Sequence, residues 1–462
     1  MPKRPTNHQL KDLLTAARLT YETTARLVRV VAAEHGDHLA TNKSTVQHWV
    51  SGTVPEPHTI GYLAEALSQR LNRLITAEDL GLPPTATSGE NDSIGLALGT
   101  DPVEALVTIG KADVHRRRFL TASAYSVAAT VLPLDYVAEI AERTAAARAG
   151  ATAGTAEINA TRDMIALFTE MDERLGGQHG RSAFIQYLID DIAPLCRARF
   201  RTDAQRRSML SVASSAAHLA GWKAYDSDEQ GAAQRYYLQS FALAVESGET
   251  GQDAFVMRTM AQQGMKLHRP EHCLDLAQTA LHRARGQITP RAQALFHITH
   301  AHALAKAGHR STTAAQVEVD AARAALEAGR TDDIPFWALA WGSPEATVAS
   351  RTAKVLEALG DHHHAGQHYT RAATSRPPGT YARIIALDLV AAAESHLKQG
   401  AIEQACATFT QAMTHMNAVA SARTRKAVST MRNNLTPYRS RGLRCAAELD
   451  ERAASFLRKT GA

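Results

Sequence analysis

The chain has 462 residues, 45% of them apolar and 5% aromatic, so it is too long for one hydrophobic core and two or three domains are expected. Its formal charge of +5 is a mild excess, which by itself indicates no particular partner. No apolar run reaches the roughly 18 residues of a membrane-spanning helix, so we expect no membrane contact. The four cysteines are far apart and form no CxxC pair, which argues against a zinc knuckle or a disulfide scaffold and favours a reducing, cytoplasmic setting.

Alanine-rich runs indicate the fold class. Segments such as "ERTAAARAG" and "DAARAALEAG" favour helix, because alanine loses no side-chain entropy there. We find no block of alternating Val, Ile, Thr and aromatic residues with hairpin turns, so the sequence predicts an all-α fold. "LPPTATSGEND" has no apolar period and is typical of a linker. The predicted divisions are an N-terminal unit over 1–82, the linker over 83–93, a helical connecting region over 94–205 and helical repeats over 206–462.

Four short helical patterns follow one another in the N-terminal unit. The first, "HQLKDLLTAARL", repeats leucine and alanine at helical spacing, and Thr20 is a good cap for the second. The third, "NKSTVQHWVSG", is expected to have Asn42 as its N-cap and to end at Gly52. The fourth is "TIGYLAEALSQRL". These patterns predict a small bundle with a core of its own.

The third helix has two distinct faces. Val46, Trp49 and Val50 fall at i, i+3 and i+4, so they are expected to face the core. The polar residues left outside are Lys43, Ser44, Gln47 and His48. Glutamine can form two hydrogen bonds to adenine, serine and histidine can bond bases or phosphate, and lysine neutralises phosphate. Such a face suits the major groove of DNA, although polarity alone does not show it, because most surface helices are polar.

The order of two helices, then "NKSTVQHWVSG", a further helix and "ITAEDLGL" resembles the helix-turn-helix of actinobacterial phage-repressor-like (XRE-type) regulators, the long kind with a tetratricopeptide-type domain behind it. In that class the helix that ends in tryptophan or a similar residue before "xxG" is the recognition helix. The resemblance implies DNA contacts by Lys43, Ser44, Thr45, Gln47 and His48. It also implies a sequence-specific transcriptional regulator that binds double-stranded DNA, often a repressor of secondary metabolism or development. One departure is the connection over 33–41, which is longer than a three- or four-residue turn.

Charge places a requirement on DNA binding. Residues 1–82 carry nine Lys or Arg against eight Asp or Glu, so one copy of this unit offers little attraction to phosphate. We therefore expect a homodimer, or help from the C-terminal stretch over 404–447, which holds seven Lys or Arg and no acidic residue. The alternative for that stretch is the solvated face of terminal helices.

A self-similar pattern occupies the second half of the chain. Turn signals lie near Asp226, His268, Gly308, Gly360 and Gly400, each followed by a helical segment rich in small residues. Helix pairs of this kind bury their faces only by stacking on the next pair. The pattern resembles degenerate tetratricopeptide repeats. That resemblance implies a superhelix that holds two copies of the chain together and senses a small molecule, a peptide or a protein.

A groove on the repeats is the second predicted site. Its candidate residues are His218, Trp222, Arg258, His297, His300, Trp337, Trp341 and Arg351. Two of the chain's four tryptophans lie in "TDDIPFWALAWGSP", within the longest interval between turn signals. One interpretation is that they line a ligand pocket. The alternative is that Trp337 and Trp341 lengthen the hydrophobic seam of the repeats.

Metal and catalytic chemistry find little support in the sequence. The histidine runs "DHHHAGQH" and "HITHAH" have no carboxylate or thiolate at a convincing helical offset, so we predict no metal site. We find no phosphate-binding GxxxxGK loop, GxSxG elbow or HExxH pair, so we predict no catalytic residue, no cofactor and no enzymatic activity. The alternative to DNA binding is a scaffold whose repeats bind protein partners while the N-terminal unit only caps them.

One internal segment has two interpretations. "RRRFLTASAYSVAATVLPL", over 116–134, looks like a twin-arginine export signal, but such signals act at the N-terminus. We favour an amphipathic helix that begins with arginines, because a folded domain is expected before it.

Overall fold

A computed structural model gives the structure of the chain. It describes residues 6–34, 39–71, 75, 77–82, 95–96, 101–114, 152–267, 270–308, 312–417 and 419–460. The linker predicted over 83–93 and the arginine-led segment over 116–134 lie outside these ranges. Within them, helices account for nearly all regular structure, and the all-α prediction is confirmed. Two strands of two residues each, β1 (Thr152–Ala153) and β2 (Arg199–Phe200), pair in parallel and are a minor departure from it.

Four helices form the N-terminal bundle: α1 (His8–Ala16), α2 (Tyr21–Glu34), α3 (Lys43–Val50) and α4 (Pro57–Leu71). Apolar side chains at the predicted helical spacing form one core with the turn that follows α4. Two hydrogen bonds between distant parts of the bundle fasten its ends. Asn7 Nδ2 donates to the carbonyl of Leu80 at 2.8 Å, and Arg70 Nε donates to that of Ala17 at 3.1 Å.

The connecting region contains further short and long helices. They are α5 (Pro102–Val114), α6 (Thr155–Leu175), α7 (Arg181–Tyr187) and α8 (Ala193–Cys196), with a π-helical turn over Leu188–Ile192 between the last two. Their buried side chains, such as Ile165 and Phe184, belong to the same core as Leu210 and Met257 of the following helices. The connecting region and the first repeats therefore share one hydrophobic core.

Six helix pairs follow in the described part of the chain. They are α9 (Asp203–Asp226) with α10 (Gln230–Ser247), α11 (Gln252–Lys266) with α12 (Pro270–Ala284), α13 (Pro290–Ala307) with α14 (Thr312–Ala328), α15 (Pro344–Ala358) with α16 (His362–Thr374), α17 (Pro378–Lys398) with α18 (Ile402–His415), and α19 (Ala422–Ser440) with α20 (Arg444–Thr460). The helices of each pair pack on one another, and each pair packs on the next. Alanines such as Ala216 and Ala220, both 0% exposed, let the helices approach closely. The predicted helical-repeat architecture is confirmed.

The predicted turn signals lie at the turns inside these pairs. Asp228 has a φ of 65° in the turn between α9 and α10, and Gly360 and Gly400 have φ values of 85° and 78° after α15 and α17. These are left-handed conformations, which glycine adopts at no steric cost. The turn signal near His268 falls between the end of α11 and the start of α12, and residues 268–269 lie outside the described ranges.

The beginning and the end of the repeat array meet. The N–H of Ala420, just before α19, donates to the carbonyl of Leu175 at the end of α6 at 2.7 Å, and Gln178 donates to Ala420 in return at 3.3 Å. α17 also packs on α6. The helix pairs therefore curve round until early and late elements are in contact. Among the described helices, none is long and apolar enough to cross a membrane.

Candidate functional site

Both ends of α3 are closed by hydrogen bonds. Asn42 is the N-cap: its Oδ1 accepts the N–H of Thr45 at 3.0 Å, and Thr45 Oγ1 accepts the N–H of Asn42 at 3.3 Å. At the other end, the N–H of Thr53 donates to the carbonyl of His48 at 2.9 Å, as in a Schellman motif. Gly52 has a φ of 97°, which favours glycine. The start and end of this helix are as the sequence predicts.

α3 buries one face and exposes the other. Val46, Trp49 and Val50 are only 0%, 4% and 5% exposed, which confirms them as core residues. The exposed residues of the helix are Lys43, Ser44, Gln47 and His48. We call these four side chains the α3 polar face. Because they lie on one side of a short helix, a single groove of suitable width can contact all of them.

Thr45 differs from the other predicted DNA contacts. It is half-buried, and its hydroxyl is 3.1 Å from Asn42 Oδ1, within the cap itself. This hydroxyl therefore stabilises the start of α3, and the side chain lies at the edge of the α3 polar face.

The helix is held firmly within the bundle. α3 packs on α2, and Arg29 of α2 donates to the carbonyl of Thr41, just before the cap. The carbonyl of Val50 accepts the N–H of Asn7 at 2.8 Å. Contacts at both ends thus fix the backbone of α3 relative to α1 and α2. α2 ends at Glu34 and α3 begins at Lys43, and residues 35–38 of the connection predicted over 33–41 lie outside the described ranges.

A cavity of about 270 Å³ lies inside the closed part of the repeat array. Side chains from α6, α9, α11, α15, α16, α17 and α19 line it, so early and late elements of the array meet around it. Three helices contribute residues at helical spacing. They are Phe255, Arg258 and Gln262 of α11, Thr347, Arg351 and Lys354 of α15, and Ile384, Leu387 and Ala391 of α17. We call this space the central cavity.

Three cations on one side of the central cavity form no salt bridge among the described residues, although Asp388 attracts Arg351 and Lys354 from further away. They are Arg258 of α11 and Arg351 and Lys354 of α15. Burial and the charge of Arg351 lower the pKa of Arg258. Burial, then Arg351 and Arg423, lower the pKa of Lys354 to about 7. Among the described residues, the guanidinium of Arg351 donates a hydrogen bond to Gln262 Oε1 at 2.8 Å. This side of the cavity therefore gathers basic groups whose charged forms repel one another and form no salt bridge among the described residues.

Other charged groups around the central cavity are paired. Arg376 forms a buried ion pair with Asp388, which also accepts a hydrogen bond from Ser350 at 2.7 Å. Arg423 is 3.6 Å from Asp226. Glu173 is 3.4 Å from Arg383. Arg258, Arg351 and Lys354, which form no salt bridge among the described residues, therefore line the same cavity as these paired groups.

A third part of the lining is apolar or neutral. Ile384 and Leu387 of α17 are only partly buried, because they border the cavity. On α9, His218 is buried, and its Nε2 is 3.0 Å from Thr259 Oγ1. Burial lowers the pKa of His218 to about 3, so this imidazole is neutral near pH 7. Trp222 Nε1 is buried without a hydrogen-bond partner among the described residues.

The structure brings together half of the predicted groove. His218, Trp222, Arg258 and Arg351 all line the central cavity. Trp337 is 5% exposed and its ring lies 5.3 Å from that of Phe255, so it belongs to the hydrophobic seam. Trp341 ends the short 3₁₀ helix Phe336–Trp341, but its side chain lies outside the described part of the structure.

His297 and His300 lie elsewhere. Both contact Glu318 of α14, at 2.6 Å and 3.3 Å, and neither lines the central cavity. Hydrogen bonds from the two histidines outweigh burial and lower the pKa of Glu318 to about 2. In this structure the pair faces the neighbouring helix and lies apart from the other four predicted groove residues. Among the described residues, no group of three or more His, Cys, Asp or Glu is placed to hold a metal ion.

Lys354 lines the central cavity but is not among the predicted groove residues, although the sequence contains a pattern that could have indicated it. Thr347, Arg351 and Lys354 recur at i, i+4 and i+7, which makes a polar stripe along α15. A polar stripe on an otherwise apolar repeat helix faces either a cavity or the solvent. Only the contact between early and late helices of the array shows that the stripe on α15 faces a cavity.

The basic C-terminal stretch is largely neutralised. Its ion pairs are Arg423 with Asp226, Lys426 with Asp228, Arg432 and Arg439 with Asp450, and Arg444 with Glu448. Four of these five basic residues lie on α19 and pair with an acidic residue outside that helix. This arrangement favours the interpretation of the stretch as the solvated face of terminal helices over a nucleic-acid contact.

A protein-family model described as the SP15 N-terminal domain matches residues 10–83 of the chain. The matched range coincides with the N-terminal bundle, from Leu10 in α1 to the turn after α4, and includes the whole of α3. No curated protein and no solved structure matches the chain significantly.

Proposed function

We propose that the chain is a sequence-specific DNA-binding regulator of transcription, of the phage-repressor-like (XRE-type) class. In this proposal the N-terminal bundle binds double-stranded DNA, and the helical repeats hold two copies together and sense a ligand. The observation that carries it is the α3 polar face. A short helix, capped at both ends and anchored by a buried tryptophan, presents four polar side chains of the kinds that contact bases and phosphates.

The dimensions of α3 suit the major groove. A helix with its side chains is about 10–12 Å across, and the major groove of B-DNA is about 12 Å wide. With α3 in that groove, Gln47 is the residue best able to read a base pair, because its amide can donate to and accept from adenine together. Lys43, in the first turn, neutralises a phosphate.

A repressor role follows from the resemblance of the α3 segment to that class and has a simple physical basis. A protein that occupies its site tightly excludes other proteins from the same groove. Near neutrality of residues 1–82 makes a single bundle a weak binder, so two bundles on one DNA segment are needed for high affinity.

The test is a selection from a pool of random duplexes with the full chain. We expect enrichment of one motif with two-fold symmetry, as a dimer requires. Gln47→Ala with His48→Ala should change or abolish the motif, because both side chains are exposed and their loss leaves the core intact. The matched control is Gln9→Ala, an exposed glutamine on α1 that should leave the motif unchanged.

A parent chain that enriches no motif would overturn this function. Capture of a protein partner by such a chain would then favour the scaffold interpretation, in which the N-terminal bundle only caps the repeats.

A further inference from the structure

The central cavity keeps positive charge that the fold does not neutralise. Arg258 is 6% exposed, its Nε has no hydrogen-bond partner among the described residues, and its guanidinium lies over the Phe255 ring, 5.1 Å from the centroid, rather than against a carboxylate. A buried charge without a partner costs several kcal/mol of free energy, by general estimates. A cluster that serves packing alone would gain stability if its cations were apolar. The unpaired cations therefore indicate a missing anion.

The same cavity supplies an internal comparison. Arg376 faces Asp388 and Arg423 faces Asp226, so carboxylates are provided where cations serve the fold. Arg351 has only the neutral oxygen of Gln262 as a hydrogen-bond partner in the described structure, at 2.8 Å. Two guanidinium groups with free donors suit a carboxylate or a phosphate, which accept hydrogen bonds in pairs.

Another part of the cavity wall can accept an apolar group. Ile384, Leu387 and Ala391 recur at i, i+3 and i+7 along α17, so they share one face of that helix. All three are only partly buried, and contact with an apolar body would remove this area from water.

Size and enclosure limit the ligand. A volume of about 270 Å³ is at the small end of ligand sites, which usually occupy about 300–1,000 Å³. A space of this size, surrounded by seven helices, suits a single-ring molecule better than an extended peptide.

We propose that the central cavity binds a small organic anion, whose carboxylate or phosphate lies against Arg258, Arg351 and Lys354 and whose apolar body lies against the α17 face. The anion would be the ligand that the repeats sense in the proposed function. The sensing role rests on the proposed function, whereas the binding itself does not. Binding is measured without DNA. Anion binding by a chain that selects no DNA motif would therefore leave the site standing, and DNA binding by a chain that takes no anion would leave the function standing.

The experiment is calorimetric titration of the full chain with matched probes. Benzoate and phenyl phosphate carry the two anionic groups on the same ring, benzamide is the neutral match of benzoate, and inorganic phosphate has no apolar body. We expect benzoate or phenyl phosphate to bind at least about tenfold more tightly than benzamide, by the usual strength of a charge-assisted hydrogen bond. The tighter of the two anions identifies the head group.

Variants then locate the binding. Arg351→Gln and Lys354→Gln should each weaken the favoured anion by about tenfold or more. Arg330→Gln is the control, because Arg330 has a side chain 75% exposed and does not line the cavity. The melting temperature of each ligand-free variant shows that it is folded, and the cavity variants should melt at or above the parent's temperature.

Three results would overturn the proposal. They are the absence of binding by both organic anions, equal binding of benzoate and benzamide when benzoate is the tighter anion, and unchanged anion affinity in both folded cavity variants. Inorganic phosphate that binds as tightly as phenyl phosphate would refute the role given to the α17 face.

Discussion

Arg383 of α17 donates a hydrogen bond of 2.8 Å to Asp172 of α6, which lies 211 positions earlier in the chain. Both side chains are buried, at 0% and 1% exposure, and Arg383 also lies 3.3 Å from Asp226 of α9. Arg383 thus joins late and early parts of the helical array. Burial alone would raise the pKa of Asp226, but Arg383, Arg423 and two hydrogen bonds outweigh it and hold that pKa below its usual value. This contact therefore joins segments that meet around the central cavity.

Loss of the Arg383 guanidinium is expected to destabilise the protein strongly. Arg383→Met leaves buried carboxylates without one of their cations, which costs about 3–5 kcal/mol of unfolding free energy. Arg330→Met, at an exposed position, should stay within about 0.5 kcal/mol of the parent. Urea unfolding of the three proteins measures both values. Equal stability of the two variants would show that the buried ion pairs do not hold the array closed.

Lys354 is expected to make stability depend on pH. The titratable groups around it are Arg351 and Glu357 of its own helix, Asp388 of α17, Arg423 of α19 and His302 of α13, whose pKa is lowered well below its usual value by burial. Burial, with Arg351 and Arg423, lowers the folded-state pKa of Lys354 to about 7. The pKa of lysine in an unfolded chain is about 10.4. Between these values the unfolded chain binds the proton and the folded chain does not, so unfolding free energy rises with pH across this window.

The measurement is urea unfolding at several pH values for the parent and Lys354→Met. The variant should lack this part of the rise, and its ligand-free form should be more stable than the parent near pH 7. Lys459→Met, at an exposed position of α20, is the control and should retain the parent's slope. A slope that is the same in Lys354→Met and the parent would contradict the titration of this amine.

The cap of α3 is expected to govern the local stability of the α3 polar face. Asn42→Ala removes the acceptor of the Thr45 N–H and should cost about 1 kcal/mol. Hydrogen exchange of the α3 amides in the full chain measures this cost as a loss of protection. Ser44→Ala, at an exposed position within the same helix, should leave protection nearly unchanged. The same exchange rates in both variants would argue against a stabilising cap.

Dimer contacts are predicted to lie in the repeats. The N-terminal bundle uses most of its large apolar side chains in its own core. The bundle leaves Val30 and Val54 46% and 40% exposed, whereas in the remainder of the described chain Leu167 of α6 and Val317 of α14 are 50% and 61% exposed. A fragment of residues 94–462 should therefore sediment as a dimer, and a fragment of residues 1–82 as a monomer with weaker DNA affinity. A monomeric repeat fragment beside a dimeric full chain would place the contact elsewhere.

A structural feature was predictable from the sequence when the residues that determine it lie close together along the chain. α3 was predictable in full, because Asn42, Gly52 and the spacing of its apolar residues act within eleven positions. The turns of the repeats were predictable for the same reason. The central cavity was predictable only in part. It depends on contacts such as Arg383 with Asp172, which join distant segments and leave no local pattern.

The histidines illustrate the same limit. His218 and His297 are both polar residues on repeat helices, and periodicity alone cannot distinguish them. The first borders the central cavity and the second bonds to Glu318 of the next helix. Which of the two faces of a repeat helix is inward depends on the curvature of the whole array.

We propose that the α3 polar face reads base pairs, and binding to altered duplexes decides whether it does. The affinity of the parent, Gln47→Ala, Lys43→Ala and Gln9→Ala is determined for the selected duplex and for every single-base-pair variant of it, at several salt concentrations. Gln47→Ala should lose preference at one base pair of each half-site, by about 1–3 kcal/mol, and keep the others. Lys43→Ala should weaken all duplexes alike and reduce the salt dependence, and Gln9→Ala should match the parent. Base-pair profiles and salt dependences that are identical in all four proteins would contradict the claim.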